Sequence, residues 1–182
     1  MKRSHTRPLP RFWFTCLKGA ACLGALAFSG FYHPAQAQTT VPQVGALIIT
    51  AAPHPYAAPD TAPKAVEDAF ATAQKTGRNV LLEFGANWCP DCRVLAGVLA
   101  NPHIAPWVEQ NFVETRINVD HFNQNMAIAQ HYGITIKAIP VALVVTPQGK
   151  VLNPEATLEL GNARTLSAQA VVDKLAEWLK RS

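Results

Sequence analysis

The sequence predicts an α/β domain in which helices cover both faces of a mixed β-sheet. Apolar runs at residues 79–85 and 112–119 are separated by segments of helical periodicity, an order typical of parallel strands joined by helices. Two further apolar runs, at residues 141–146 and 150–152, flank Pro-Gln-Gly at residues 147–149, which predicts an antiparallel hairpin. Parallel and antiparallel pairs in one chain give a mixed sheet, whose helices must then lie on its two faces.

The first two predicted helices lie on either side of the first strand. Residues 64–76 place their apolar side chains on one helical face, and Gly77 is a natural end to that helix. After the strand at residues 79–85, a second helix begins at Pro90, because the first turn of a helix tolerates the missing N–H of proline. Its apolar face consists of Val94, Leu95, Val98 and Leu99.

The remaining helices complete the alternation. Short helices are predicted at residues 104–111 and 123–132, the second of them ended by Gly133. The C-terminal helix begins near Thr165, with Ser167 as an alternative cap. Its core stripe consists of Val171, Leu175, Trp178 and Leu179. The predicted order is therefore helix, strand, helix, strand, helix, hairpin, helix.

Residues 1–37 are predicted to be a signal peptide. They open with basic residues, continue with a mostly apolar stretch at residues 12–31, and end in Ala-Gln-Ala at residues 35–37, the small-x-small form of a signal-peptidase site. An uncleaved anchor is the alternative, although Lys18 interrupts the apolar stretch that a spanning helix needs. Cleavage near Ala37 would give a periplasmic or otherwise exported protein.

The predicted mature chain has two parts. Residues 38–63 contain five prolines with many Ala and Thr, which predicts a Pro/Ala-rich linker that acts as an extended tether. Within it, residues 44–49 could add a short edge strand. Residues 64–182 then form one compact domain, which is long enough to bury its own core.

Removal of the signal peptide changes the charge of the chain. Five basic residues and no acidic residue leave with it, so the formal net charge falls from +4 to −1. These residues are Lys2, Arg3, Arg7, Arg11 and Lys18. The remaining chain has no basic surface that would favour nucleic acid or an anionic membrane, so nucleic-acid binding is not expected.

Cysteine usage indicates redox chemistry rather than a disulfide-stapled fold. Cys16 and Cys22 lie in the predicted signal peptide, so the mature chain keeps only Cys89 and Cys92. Placed at a strand-to-helix junction, the first thiol meets the unpaired N–H groups and the dipole of the helix, which favour a thiolate. Half of a zinc site is the alternative, but no second cysteine pair is present, and no metal site is predicted. The histidines are too dispersed to form a ligand cluster: His103, His121 and His131.

Several segments of the chain resemble those of the thioredoxin family. The most specific is Leu-Glu-Phe-Gly-Ala-Asn-Trp-Cys-Pro-Asp-Cys at residues 82–92. Shorter matches lie at residues 116–120, 132–134 and 139–140 and at Gly161. The resemblance covers about residues 64–182, and it is greatest to exported thioredoxin-like domains, including those of periplasmic thiol–disulfide interchange proteins. It implies the thioredoxin fold and a redox-active Cys89–Cys92 disulfide in place of any bound cofactor.

The resemblance also implies roles for residues around the motif. Cys89 would be the attacking thiolate, and Cys92, one helical turn on and more buried, would resolve the mixed disulfide. Trp88 would form an apolar wall beside the sulfurs, with simple core packing as the alternative. Pro90 and Asp91, between the two cysteines, would modulate their reactivity.

Outside the motif, Glu83 falls where thioredoxins keep a buried aspartate. A raised pKa would let it accept the proton of Cys92, unless it is a strand-end residue that reaches water. Arg116 occupies the place of a basic residue near that acid and would modulate it, or else be a surface charge. Ile139 and Pro140 resemble the family's cis-proline site, which would bring strand-end backbone beside the cysteines for substrate to pair with. An ordinary trans proline is the alternative.

Taken together, the resemblance implies a thiol–disulfide oxidoreductase. Asp91 favours the reducing direction, because a negative side chain between the thiols opposes thiolate formation. We therefore expect a monomer that reduces protein disulfides or relays electrons outside the cytoplasm, with protein thiols and disulfides as substrates and a membrane electron donor. The alternatives are a disulfide oxidase or isomerase, a non-catalytic binding module on the same fold, and a copper chaperone that uses the thiolate pair.

Overall fold

The computed structural model describes residues 40–182, and the predicted signal peptide lies outside them. In this part of the chain, strand β1 (Asn79–Gly85) pairs in parallel with β2 (Phe112–Asn118) and antiparallel with β3 (Val141–Val145). The strand order is β2-β1-β3. The predicted mixed sheet is therefore confirmed. No helix among the described residues is both long and apolar enough to cross a membrane.

The helices follow the predicted order. They are α1 (Ala62–Thr76), α2 (Pro90–Leu99), α3 (Ala105–Asn111), α4 (Met126–His131) and α5 (Ala168–Leu179), with 3-10 turns at Pro59–Thr61 and Ala163–Thr165. Helix α4 begins three residues later than predicted, because Asn125 before it has a left-handed backbone with φ +56°. Ser167, the alternative cap, is the one that caps α5, where its hydroxyl accepts a hydrogen bond from Ala170 N at 3.1 Å.

Successive side chains of β1 point to opposite faces of the sheet, and each face has its own core. Leu81 packs with residues of α2, α3 and α5. Leu82 and Phe84 pack with residues of α1 and α4. Because both faces are covered, every residue of β1 is buried, Glu83 included. Glu83 lies two positions from Leu81 and therefore faces the α2 side.

The predicted hairpin turn is present, but the predicted second strand at residues 150–152 is not formed. Residues 150–152 form a single β-bridge, between Val145 and Val151. Beyond it, the buried amide of Asn153 accepts a hydrogen bond from Val144 N at 2.8 Å and donates one to Ala142 O at 2.9 Å. The Asn153 side chain thus takes the place of a neighbouring strand's backbone, and the backbone hydrogen bonding between β3 and residues 150–152 ends at this point.

Residues 40–58, within the predicted linker, lie against the domain without regular secondary structure. Partly buried apolar side chains pack on the core beside α2 and α5: Val41, Val44, Leu47 and Ile49. The Val44 amide donates to the side chain of Gln169 on α5 at 2.8 Å, rather than to a strand. The possible edge strand at residues 44–49 is therefore not formed. This segment makes more contacts than its tether-like composition indicates.

Residues 50–58 continue across α2, and we call them the N-terminal strap. The Ala52 amide donates to Arg93 O at 2.9 Å, and Arg93 Nε donates to Ala52 O at the same distance. One turn further along the helix, the Thr50 carbonyl lies so close to Gly97 that a Cβ at this position would collide with it. The strap therefore depends on a helix surface without a side chain at that point.

Candidate active site

The two predicted cysteines lie at the N-terminus of α2 and form a disulfide, with their Cα atoms 5.3 Å apart. Cys89 is the N-cap residue, and its Sγ accepts a hydrogen bond from Cys92 N at 3.2 Å. Pro90 occupies the first turn, as expected. Cys89 is 4 % exposed and Cys92 is fully buried, so Cys89 is the sulfur nearer to solvent. The helix N-terminus supplies the amide that would stabilise a thiolate on it.

Strand β3 begins beside this disulfide. The peptide bond between Ile139 and Pro140 is cis, and β3 follows at Val141. The carbonyl oxygen of Ile139 lies 3.7 Å from Cys89 Sγ, and the Ile139 side chain packs against the cysteine pair. The structure thus brings the predicted substrate-contacting backbone next to the outer sulfur.

Trp88 lies at the surface rather than in the core, with 48 % of its area exposed. Its Nε1 donates to Asp120 O at 3.0 Å. Its ring stacks on His121, with the ring centroids 5.4 Å apart, and meets Phe122 edge-on at 6.2 Å. Trp88, His121 and Phe122 therefore form an exposed aromatic cluster next to Cys89. The sequence singled out only Trp88 of the three as a site residue.

Glu83 is completely buried and does not reach water. Tyr56 donates its hydroxyl to Glu83 Oε1 at 2.5 Å, and Arg116 Nε lies 3.4 Å from Oε2. Burial, and secondarily the charge of Glu114, raise the pKa of Glu83 to about 7, against the opposing effects of Arg116 and Tyr56. A carboxyl with this pKa changes its protonation state near neutral pH.

Arg116 connects two acids. It lies opposite Glu83 in the register of β1 and β2, and its Nη2 lies 2.5 Å from Glu114 Oε1. Although burial opposes it, the charges of Glu114 and Glu83 raise the pKa of Arg116. Burial also raises the pKa of Glu114, while Arg116 limits that rise. Arg116 therefore takes part in a half-buried charge network, which Glu114 extends beyond the predicted pair.

Asp91 is bound by Arg164, a residue that the sequence did not single out. The Arg164 amide donates to Asp91 Oδ1 at 2.9 Å, and its Nη2 lies 3.1 Å from Oδ2. Burial would raise the pKa of Asp91, but the hydrogen bonds and charge of Arg164 outweigh it and lower the pKa. The carboxylate between the cysteines is thus ionised but paired.

Tyr56 is a further site residue that sequence reasoning missed, because it belongs to the predicted linker. It is buried and packs in one small cluster with Cys89 and Cys92. Asn87 holds its backbone on both sides: Tyr56 N donates to Asn87 Oδ1 at 3.0 Å, and Asn87 Nδ2 donates to Tyr56 O at 2.9 Å. A lone tyrosine among prolines and alanines gives no pattern from which this position could be inferred.

The space around the Tyr56 hydroxyl is closed by Gly85 at the end of β1. A Cβ at Gly85 would collide with the phenol and lie 3.0 Å from Cys92 Sγ. Burial, together with the charge of Glu83, raises the pKa of Tyr56, so the phenol keeps its proton and acts as the donor. Among residues 40–182, no three His, Cys, Asp or Glu side chains lie close enough together to hold a metal ion.

Comparison with known proteins identifies the fold family. A family model described as thioredoxin-like matches residues 61–147. A protein of Fusarium culmorum named "Thioredoxin-like protein" is 35% identical over 95 residues, which cover 50% of this chain and 72% of that protein. The chain belongs to the thioredoxin-like family. The resemblance and fold inferred from the sequence are thus confirmed.

Two solved structures resemble the chain over about two thirds of its length. The disulphide isomerase from Xylella fastidiosa Temecula1 is 37% identical, with a TM-score of 0.64, and the match covers 68% of this chain and 95% of the isomerase. The C-terminal domain of DsbD from Neisseria meningitidis, in its reduced form, is 27% identical over 65% of this chain and 95% of that domain, with a TM-score of 0.46.

Proposed function

We propose that this thioredoxin-like protein is an exported thiol–disulfide oxidoreductase that acts through Cys89 and Cys92. The observation that carries the proposal is a closed disulfide at a helix N-terminus, with the proton-exchanging carboxyl of Glu83 buried on the same face of the sheet. Membership of the family, and similarity to a disulphide isomerase, support this chemistry at the level of the family.

In the reduced protein, the Cys89 thiolate attacks one sulfur of a substrate disulfide, and the other substrate sulfur leaves as a thiolate. Cys92 then gives its proton to Glu83 and attacks Cys89 Sγ. The bond between Cys89 and the substrate sulfur breaks, and that sulfur takes a proton from water. The substrate disulfide has gained two electrons, which the two cysteines supplied as they closed into a disulfide. No bound cofactor is needed for these steps.

Protein disulfides are the proposed substrates. The carbonyl of Ile139 lies beside Cys89 Sγ, where an extended substrate chain can pair with backbone. The exposed cluster of Trp88, His121 and Phe122, which includes the residue before Cys89, offers an apolar contact for residues that flank the substrate cysteine. We propose that the protein acts as a monomer.

We propose the reducing direction, as a reductase or an electron relay that a membrane donor re-reduces. The Asp91 carboxylate between the thiols is ionised, which opposes a thiolate on Cys89 and favours the disulfide. Isomerase activity is the second candidate, and the 37% identity to the Xylella fastidiosa isomerase favours it. A measurement of the reduction potential of the Cys89–Cys92 pair would distinguish a reductase from an isomerase.

The proposal is tested by capture and by redox titration. Because Cys92→Ala cannot release a substrate from Cys89, this variant should accumulate mixed disulfides in extracts of exporting cells, whereas Cys89→Ala should accumulate none. In a glutathione series, a reductase should equilibrate at about −270 mV, an isomerase at about −180 mV and a strong oxidase at about −120 mV. Equal amounts of mixed disulfide in the two variants, or no captured protein in either, would contradict the proposal that the protein is an enzyme.

A further inference from the structure

The Glu83 carboxyl and the phenol bound to it are surrounded by groups from three different elements. The strap supplies the Tyr56 hydroxyl, β2 supplies Arg116 and the more distant Glu114, and α2 supplies the buried Cys92 sulfur close to that phenol. Arg116 is one-quarter exposed and lies 3.4 Å from the carboxylate. The Tyr56 hydroxyl, at 2.5 Å, makes the shorter contact and is itself buried.

The position of the phenol is fixed from several directions. Its backbone is held by the paired hydrogen bonds with Asn87, the residue two positions before Cys89. Its hydroxyl fills the space over Gly85, a space that also borders Cys92 Sγ. The hydroxyl therefore contacts the carboxyl that the proposed mechanism uses as proton acceptor, and it borders the same space as the inner sulfur.

We propose that Tyr56 is a positioning residue of the thiol–disulfide exchange, which directs the Glu83 carboxylate towards Cys92 and keeps it in its proton-accepting form. The inference deepens the proposed function and rests on it. A hydroxyl that donates to a carboxylate favours the ionised acid, and here the donation comes from a phenol that keeps its own proton.

The proton follows a short route in this arrangement. When Cys92 attacks the mixed disulfide, its S–H proton passes to Glu83, directly or by way of the Tyr56 hydroxyl, which gives its own proton to Oε1 and takes that of Cys92. In both cases Glu83 gains one proton, Cys92 loses one, and the phenol is unchanged. Without the hydroxyl, burial and Glu114 favour protonated Glu83 more strongly, so at pH 7 fewer molecules can accept the proton of Cys92.

The direct test is the pKa of Glu83 in Tyr56→Phe. This variant keeps the ring and removes only the hydroxyl, so we expect the Glu83 pKa to rise from about 7 by roughly one unit. The measurement is ¹³C NMR of the glutamate carboxyls during a pH titration of the oxidised protein. Tyr132→Phe is the matched control, because Tyr132 packs with Phe70 on the opposite face of the sheet. An unchanged Glu83 pKa in Tyr56→Phe would overturn the inference.

The kinetic test follows release of a trapped peptide from Cys89 across pH. In Tyr56→Phe, the rate at pH 7 should fall roughly fivefold, and its pH midpoint should shift upward with the Glu83 pKa. In a Glu83→Gln background, the Tyr56 substitution should produce no shift. The inference would be overturned if the release rate fell by the same factor at every pH, or if the pH midpoint still shifted in the Glu83→Gln background. Either result would mean that Tyr56 has only a packing role.

These measurements separate the inference from the proposed function. The titration uses the oxidised protein and needs no turnover, so the shift is observable even if no substrate is ever captured. If instead the protein reduces disulfides and the Glu83 pKa is the same with and without the hydroxyl, the function stands and the role of Tyr56 fails. Should Tyr56→Phe not fold, Tyr56→Met, which also lacks the hydroxyl, is titrated against the same criterion.

Discussion

At the scale of single residues, the partner of Asp91 determines how its charge acts on the cysteines. The carboxylate lies between the two thiols in sequence and would oppose a thiolate on Cys89 if it stood alone. In the structure it accepts hydrogen bonds from the amide and the guanidinium of Arg164. The pair places a positive group at the N-terminus of α2 and offsets part of the effect of Asp91.

Replacement of Arg164 should therefore make the cysteine pair more reducing. In Arg164→Gln the positive charge is lost, so the Cys89 thiolate is less stable and the reduction potential should fall by roughly 10–20 mV, the range expected of a solvent-exposed ion pair. Glutathione equilibration measures the change. Arg181→Gln is the matched control, because Arg181 forms an exposed ion pair with Glu177 at the C-terminal end of α5. An unchanged or higher potential would show that Arg164 does not tune the sulfurs.

Sequence analysis finds a site residue when that residue departs from the pattern of its own segment. It misses a site residue that fits the pattern of its segment. Glu83 could be found because a charged side chain inside an apolar strand needs an explanation. Cys89 and Cys92 were indicated by their spacing at a strand-to-helix junction. Tyr56 and Arg164 break no rule in their own segments. Their importance comes from contacts with residues 27 and 73 positions away, which no local pattern encodes.

At the scale of elements, the strap and α2 fit each other through Gly97. A glycine inside a helix costs about 1 kcal/mol relative to alanine, so Gly97→Ala would stabilise an isolated helix. Here the Cβ would collide with the Thr50 carbonyl, which is backbone and is held by the neighbouring pair of hydrogen bonds between Ala52 and Arg93. The packing requirement and the helix propensity therefore act in opposite directions.

We expect the packing requirement to prevail in Gly97→Ala. The free energy of unfolding should fall by about 1–3 kcal/mol, the usual cost of overpacking a close contact. Urea denaturation of the oxidised protein measures it. A second readout is proteolysis within residues 50–58, which should become faster if the strap is displaced. A gain in stability would mean that the strap moves aside at no cost and that its contact with α2 is unimportant.

Most helices and strands could be predicted from the sequence, and the errors in these predictions have local causes. Helix α1 ends before Gly77, strand β1 coincides with its apolar run, and helix α2 begins at Pro90, as the sequence predicted. The prediction of a second hairpin strand was wrong because the side-chain amide of Asn153, rather than strand backbone, pairs with the backbone of Val144 and Ala142. Sequence patterns describe which residues are buried, but they do not show when a side chain completes a sheet.

At the scale of the whole molecule, the buried acid connects stability to pH. The pKa of Glu83 is about 7 in the folded protein, against 4.5 for an unperturbed glutamate. Between these values the folded state keeps a proton that the unfolded state has lost. The stabilising contribution of protonated Glu83 is thus complete below pH 4.5 and is lost as the pH rises through 7.

Glu83→Gln, which is neutral at every pH, should remove this dependence. Relative to the variant, the wild-type protein should lose stability on the order of 3 kcal/mol as the pH is raised from 4.5 to above 7. Urea unfolding of both oxidised proteins at several pH values measures the difference. Glu177→Gln is the control, because hydrogen bonds from Arg181 and Lys174 lower the pKa of Glu177 and no such loss is expected. Parallel curves for the wild type and Glu83→Gln would contradict a buried titrating acid.

The strap has one more consequence, for how related chains diverge. The phenol reaches the sulfurs on residues that precede the segment matched by the family model. The cysteines and Glu83 lie within the matched segment, whereas the tyrosine proposed to position Glu83 lies before it and can mutate independently of them. On the proposed role of Tyr56, two chains with the same Cys-Pro-Asp-Cys motif would release a captured partner at different rates when only one of them has a tyrosine at this place.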